Sequence, residues 1–285
     1  RAQARLQNIR SVQPILSALH TISLGSWQAA LNRRSRVQGY MARLEALLPV
    51  VTAHSPSPPF HPSPVRGDSQ ESTVALVIGS ERGLCGRFNA AVVERAEVHR
   101  ANQEADVELM ALGGRVRRIL ERRGHQLAWS DALSITALPS FDLARTLSRR
   151  WLTRYEAHEV GTVDVIYNAY RGLGSYEPTV TQLIPSSPPL RETEREISTI
   201  IETDPVSLYA RVVEQWTVTH LYELLLESAA AEHAARYELM GAATQNADRL
   251  IEELTLAIQT TRQRAITQEM QELAAGAGMV GTRSH

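Results

Sequence analysis

The chain of 285 residues contains no lysine; all 30 of its basic residues are arginine. Schiff-base chemistry and a P-loop lysine are therefore excluded. Cysteine occurs once, at Cys85, which rules out an intramolecular disulfide and fits a reducing compartment. Aromatic residues make up only 5% of the chain, which suits rods and alanine-lined helix contacts better than a thick core. No apolar run reaches the roughly 18–20 residues that a membrane span needs, and no signal peptide is evident. The formal net charge is −1, so overall charge gives no case for nucleic acid. The chain starts at Arg1 and not at methionine, which implies a few residues ahead of it.

What is present is dominated by the last quarter. Between Val206 and Leu273 there is no proline, and the only glycine is Gly241. Apolar or small residues recur at Leu239, Ala243, Ala247, Leu250, Leu254, Ile258, Thr261 and Ala265, which keeps one helix face continuously apolar. About 70 helical residues at 1.5 Å each would reach roughly 100 Å, more than the width of a domain of this size. Such a helix protrudes and needs a partner along its length. The spacing lies nearer an eleven-residue repeat than a heptad and predicts a nearly straight rod.

Residues 1–53 supply the partner. Leu6, Ile9, Ile15, Leu16, Leu19, Ile22, Ala30, Val37, Met41, Leu44, Leu48 and Val51 mark an apolar stripe. Pro14 predicts a kink or a new helix start, Gly25 and Gly39 weaken the interior, and Pro49 makes the last turn uncertain. This segment is rich in arginine (Arg1, Arg5, Arg10, Arg33, Arg34, Arg36 and Arg43), whereas the C-terminal stretch is acidic in balance. Opposite charge balances at opposite chain ends suit an antiparallel pair.

Between the helices the pattern changes. Residues 54–72 are a proline-rich loop. Residues 73–185 alternate strands (73–79, 105–112, 126–130, 160–170, 176–183) with helices (87–101, 114–123, 141–158), which predicts a Rossmann-like α/β domain with a parallel sheet. Residues 186–204 are a polar linker, and residues 205–285 hold the C-terminal helix. The order is rod, globe, rod.

Two stretches could carry chemistry. Gly79-Ser-Glu-Arg-Gly-Leu-Cys-Gly-Arg-Phe-Asn89 follows the first strand, where phosphate loops sit, but its spacing matches neither dinucleotide fingerprint nor P-loop. Cys85, beside a helix start, is a candidate nucleophile without a placed histidine base. A tight turn that needs small residues is the simpler reading. Around His233, Glu232 and Arg236 form an i, i+4 pair, and no second ligand falls at metal-site spacing. No catalytic, cofactor-binding or metal-binding residues are assigned.

Arg82-Gly-Leu-Cys-Gly86 with Phe88-Asn89 resembles the Asp-Arg-Gly-Leu-Cys-Gly-Gly-Leu-Asn signature of the γ subunit of F-type ATP synthases. Leu225-Leu-Glu-Ser-Ala-Ala-Ala-Glu-His-Ala-Ala-Arg236, Met240, Ala243-Thr244, Asn246-Ala247 and Thr261-Arg-Gln-Arg-Ala-Ile-Thr-Gln-Glu269 are similar to that family's C-terminal helix. Tyr167-Asn168 matches its strand motif, and Ser11-Val12-Gln13 with Ile15 gives a weaker match in the first helix. The resemblance implies a non-catalytic rotor: an antiparallel coiled coil within an α3β3 hexamer, with the α/β domain near the ε subunit and the c-ring. The complex would be peripheral to the cytoplasmic face of a bacterial plasma membrane. It implies that Arg262, Gln263, Thr267 and Glu272 contact or couple to the β subunit. It also implies that Arg82, Gly83, Cys85 and Gly86 form the rotor's foot.

This chain departs from the family's pattern in three places. The first helix lacks its lysines and Met-rich, Ala-Ala-Ser stretch. Arg87 replaces the second glycine of the Gly-Gly pair, and the proline-rich loop is unusual. Together these suggest a divergent γ, of the alternate, Na+-type F-ATPases. Two other readings are a Rossmann-like nucleotide-binding enzyme with a coiled-coil dimerisation arm, and a coiled-coil adaptor.

Overall fold

The computed structural model describes residues 2–53, 72–103, 106–185 and 203–280. Most of the proline-rich loop and of the 186–204 linker lies outside the described residues. The chain divides into two compact units, Arg1–Thr21 with Met240–His285, and Ile22–Leu239.

Ten elements follow in chain order: α1 (Ala2–Ala53), β1 (Ser72–Ile78), α2 (Phe88–Ala101), β2 (Val107–Leu112), α3 (Gly114–Arg122), β3 (Trp129–Asp131), α4 (Phe141–Glu156), β4 (Val160–Gly172), β5 (Ser175–Ile184) and α5 (Pro205–Val280). The two terminal helices have 52 and 76 residues. No helix among the described residues is long and apolar enough to cross a membrane.

In the Ile22–Leu239 unit the sheet order is β3-β2-β1-β4-β5, parallel except for the antiparallel β4–β5 hairpin. Strand alternation splits the side chains between two cores. Ala75, Val77, Leu109 and Ala111 face Val92, Val93 and Ala96 of α2 and Val116 and Leu120 of α3. Val74, Leu76, Ile78, Val163 and Val165 face Leu147, Trp151 and Leu152 of α4 and Val212, Val213, Leu221 and Leu225 of α5. The sheet is therefore covered on both sides, which is why β1 is buried along almost its whole length.

The starts of α4 and α5 are written locally. Ser140 caps α4, its Oγ accepting from the Leu143 amide at 3.2 Å. Asp204 precedes Pro205 and its Oδ2 accepts from the Ser207 amide at 2.8 Å; hydrogen bonding from the Ser207 side chain, and then from its amide, lowers the Asp204 pKa.

Within this unit α1 and α5 run antiparallel. Contacts fall along α5 as they rise along α1: Trp27 with Tyr237, Arg34 with Glu227, Gln38 with Glu223, and Met41 and Leu44 with Trp216. The charge asymmetry becomes specific here. Arg34 reaches Glu227 at 3.1 Å and Glu223 at 3.4 Å. Burial raises the Glu227 pKa, with Arg34 opposing it, and the Tyr167 hydroxyl, 3.4 Å from Glu227, is pushed up to about 12 chiefly by burial.

In the other unit, Gln13 Nε2 donates to Asp248 Oδ1 at 3.1 Å. A Cβ on Gly241 would lie 3.1 Å from His20 Nε2, so the glycine admits a close helix approach. Here too numbers fall on α5 as they rise on α1. Ala247 is buried and Leu250, Leu254 and Ile258 are half-buried, in line with the stripe. Leu254→Asp is expected to lower stability by about 1–2 kcal/mol, since it places a charge on that half-buried face. An unaltered melting curve would show the face to be open to water.

Some expectations are corrected. Helix α1 passes unbroken through Pro14 and Pro49. The carbonyl deprived of its partner by Pro14 belongs to Arg10, and both residues are exposed, so water can take that bond. Ile15 and Ile22 are 58% and 64% exposed and stand outside the seam, because the helix drifts relative to a fixed repeat. Leu239, at 40% exposed, also leaves the stripe. The third strand is Trp129–Asp131, later than 126–130, because it pairs only with Met110–Leu112 at the end of β2.

Candidate functional site

In a sheet of this order the crevice beyond the strand ends opens where the chain leaves β1 for α2 and later returns as β4. The turn at that place is Gly79 to Arg87. Its interior is filled by its own side chains. The Ser80 amide donates to Asn89 Oδ1 at 2.9 Å, and Asn89 Nδ2 donates to Ser80 Oγ at 2.8 Å and to Cys85 Sγ at 3.5 Å. Ser80 Oγ also donates to the Arg82 carbonyl. A Cβ on Gly79 would sit 2.4 Å from Val116 Cβ, so only glycine fits between turn and helix. Leu84 and Gly86 adopt φ of 64° and 61°, which reverses the chain and leaves Leu84 56% exposed.

On the β2–β3 side of β1, the amides at the start of α3 and after β3 are taken by a carboxylate. Glu81 Oε2 accepts from the Gly114 amide, at the start of α3, at 2.8 Å and from the Leu133 amide at 2.9 Å. A phosphate at the start of α3 would have to displace it. The C-terminal helix closes the other side. Cys85, Phe88 and Ala231 pack as one buried cluster, with Tyr170 and Tyr176 against it. Arg236 Nε and Nη2 each donate to the Gly83 carbonyl at 3.4 Å, Nη1 lies 3.2 Å from His233 Nδ1, and Nη2 is paired with Glu232.

This removes Cys85 as a candidate nucleophile. Cys85 is 2% exposed, and burial raises its pKa, with Glu232 adding to the rise, so the thiol is neither reachable nor ionised at neutral pH. Arg82 and Gly83 are the outer part of the turn, and Cys85 is its buried anchor. Among the described residues no group of His, Cys, Asp or Glu could hold a metal.

His233 has a use that is electrostatic. Burial, with Arg236 adding to it, lowers its pKa from 6.5 to about 4. A histidine depressed in the folded state contributes stability in full above its unfolded pKa and loses it as pH falls toward the folded one. Between pH 6.5 and 4 the native protein is expected to lose about 3 kcal/mol relative to His233→Gln. Denaturant titrations of both proteins across that range measure it, and parallel curves would remove the assignment.

The four coupling candidates lie in the other unit, all exposed on α5. Gln263 and Thr267 share a face, the Thr267 hydroxyl donating to the Gln263 carbonyl at 2.9 Å. Arg262 and Glu272 point around the helix from them, at 100° per residue. Glu272 Oε1 accepts from Gln268 Nε2 at 3.0 Å. The four do not converge as a pocket; they present polar groups on several sides of one helix.

Sequence reasoning found the glycine turn and the Glu232–Arg236 pair but not their connection. The Arg236 contact with Gly83 spans 153 positions, and no local signal announces it.

The ATP synthase family matches residues 1–280. The chain is 30% identical over 274 residues to the ATP synthase gamma chain of Pelotomaculum thermopropionicum, covering 96% of this chain and 95% of that one. It is 30% identical over 280 residues to the gamma chain of Rubrobacter xylanophilus, with the same coverages. In fold it is similar to a chain of the Euglena gracilis mitochondrial ATP synthase OSCP/F1/c-ring assembly, with TM-score 0.65, 14% identity, and 100% and 95% of the two chains covered. A chain of the Tetrahymena thermophila central stalk and c-ring gives TM-score 0.56 at 20% identity, over 81% of this chain and 99% of that one. With a match along nearly the whole sequence and an α/β sheet carried between two paired terminal helices, the chain belongs to the ATP synthase gamma chain family.

Proposed function

We propose that this chain is the central rotor stalk of an F-type ATP synthase or ATPase, itself without catalytic residues. The observation that carries this is the antiparallel pairing of helices from opposite chain ends, with the turn after β1 packed against α5 through Cys85, Phe88 and Ala231. A helix pair with differing faces is a mechanical element.

In this reading the helix pair turns inside an α3β3 hexamer and meets each β subunit with a different face. Each catalytic site is biased in turn between open and closed states by differential contact energy. Ion flow through the c-ring drives the rotation and releases ATP; hydrolysis drives it in reverse. The ε subunit and the c-ring bind the sheet-bearing unit, where Arg82, Gly83 and Gly86 shape the turn and buried Cys85 anchors it. The assembly sits at the cytoplasmic face of a bacterial plasma membrane, with this chain peripheral to it.

Affinity purification of the tagged chain from its native cells tests the function. Recovery of α and β subunits is the expected result; a monodisperse monomer without them would overturn it. Arg262, Gln263, Thr267 and Glu272 are assigned to β contact and coupling. Arg262 offers a planar charged donor suited to a carboxylate. Arg262→Ala is expected to weaken that contact by about tenfold or more, the worth of a charged hydrogen bond, with the fold intact. Unchanged torque and unchanged coupling of ATP hydrolysis to ion pumping in the assembled complex would refute the role.

A further inference from the structure

Within the Ile22–Leu239 unit, α1 meets α5 over a stretch where packing sets the register only weakly. Ala30 of α1 is 0% exposed and falls between the Trp27–Tyr237 and Arg34–Glu227 contacts. The facing run of α5 holds Ala229, Ala230, Ala231, Ala234 and Ala235, all buried. Small residues let two helices approach closely but give few ridges to interlock. The larger contacts on either side, Trp27 with Tyr237 and Met41 with Trp216, are between ring and apolar groups. Apolar attraction is non-directional, so a shifted helix can form substitutes for them.

One contact here is directional. Glu227, its side chain 7% exposed, is anchored to β4: the Tyr167 hydroxyl lies 3.4 Å from Oε2, and the Tyr170 amide donates to the same carboxylate. Arg34 Nη2 reaches Glu227 Oε2 at 3.1 Å. Arg34 Nε stands 3.4 Å from Glu223 Oε1, a charge contact and not a hydrogen bond, and Gln38 Nε2 donates to that Glu223 oxygen at 2.7 Å. A carboxylate fixed to α5 and the sheet thus meets α1 at Arg34.

A slip of α1 by three, four or seven residues would keep the same face toward α5. It would bring Leu31 or Val37, Ala30 or Gln38, Trp27 or Met41 to the place of Arg34, and none of the six carries a charge. Arg33 and Arg36 cannot serve, because they point about 100° and 160° away around the helix. In each of these slipped registers the Glu227 carboxylate would stay buried without its cation, which disfavours them by about a hundredfold or more.

We propose that Arg34 and Glu227 form the register lock of the helix pair, fixing where α1 stands along α5 and holding both to β4. Arg34 is then a positioning residue. It acts through the placement of α1, which decides how the faces of the two helices combine. The lock itself does not depend on the rotor reading; its consequence for coupling rests on that reading.

The test is the distance between nitroxide labels at Ser35→Cys and Arg211→Cys, both exposed positions, read by electron spin resonance on the full chain in its assembled complex. Cys85, 2% exposed, stays unlabelled. With Arg34 and Glu227 in place one distance is expected. Arg34→Met with Glu227→Gln removes both charges and keeps an acceptor for Tyr167 and Tyr170. It is expected to add a second distance, about 5–6 Å away, carrying at least about one-tenth of the molecules. Arg34→Gln with Gln38→Arg moves the charge by one turn and is expected to populate a shifted distance too, so the lock stays testable if the first variant fails to fold. The native distance alone in either variant that folds would overturn the lock. Complexes with the second distance are expected to pump fewer ions per ATP hydrolysed, in proportion to the slipped fraction; full pumping would overturn the coupling role. The distances are read whether or not α and β subunits accompany the chain, so failure of the lock and failure of the rotor reading separate.

Discussion

Arg236→Met is expected to destabilise the protein by about 3 kcal/mol and to loosen the turn from Ser80 to Arg87. The side chains of Arg236 and Glu232 are 10% and 13% exposed, so the pair is largely out of water. Removing the guanidinium strands the Glu232 carboxylate and strips the Gly83 carbonyl of two donors at once. Burial already raises the Glu232 pKa, against the opposing pull of Arg236. Without that pull it rises further, so the loss is largest at neutral pH and shrinks as acid protonates the carboxylate. Adding Glu232→Gln to the variant is expected to recover part of the stability. Chemical denaturation at neutral and acid pH, with amide exchange of residues 80–87, checks this. A variant as stable as the native protein at neutral pH would mean that the turn stands without α5.

Gly113→Ala is expected to be as severe, at about 3 kcal/mol or more, for a steric reason. Gly113 has φ 111° and ψ 131°, a conformation that L side chains rarely adopt. A Cβ there would lie 2.8 Å from the Gly79 carbonyl oxygen and 2.9 Å from that of Ser80, both backbone atoms that cannot swing aside. The two glycine turns, after β1 and after β2, touch through this residue. Gly25→Ala is the matched control: a Cβ there meets nothing within 4 Å, and alanine is the better helix former by about 1 kcal/mol. One glycine-to-alanine change should thus lower the melting temperature sharply while the other raises it slightly. Equal effects would mean that close approach is not what Gly113 provides.

These contrasts mark how far local pattern carried. The unbroken apolar run from Val74 to Ile78 announced a strand of a helix-covered parallel sheet, and the structure sorts its side chains into separate cores. The arginines of the first helix and the glutamates of the last announced a pair, and Arg34 found Glu223 and Glu227. Pro14 was a misleading sign. A proline ordinarily interrupts a helix, but its cost is bounded when the orphaned carbonyl faces solvent, and exposure is not written in the neighbouring residues.

The site was legible in its parts. Glycines after a strand show a turn, and Glu232 with Arg236 shows a helical pair. What the turn is for could not be seen from spacing, since the same glycines serve either to cradle a phosphate or to admit packed backbone. The deciding contacts are Val116 against Gly79 and the Arg236 guanidinium on the Gly83 carbonyl. The second of these spans 153 positions.

By itself the sequence determined the element types, the pairing of the two terminal helices and the absence of lysine chemistry. These follow from periodicity, charge balance and composition, which act over neighbouring residues. Tertiary structure alone decided that Gly79 packs against Val116, that Cys85 is a buried anchor and that Arg236 holds the Gly83 turn. Each of those depends on groups far apart in the chain competing for the same space and the same hydrogen bonds, and only folding brings them within reach.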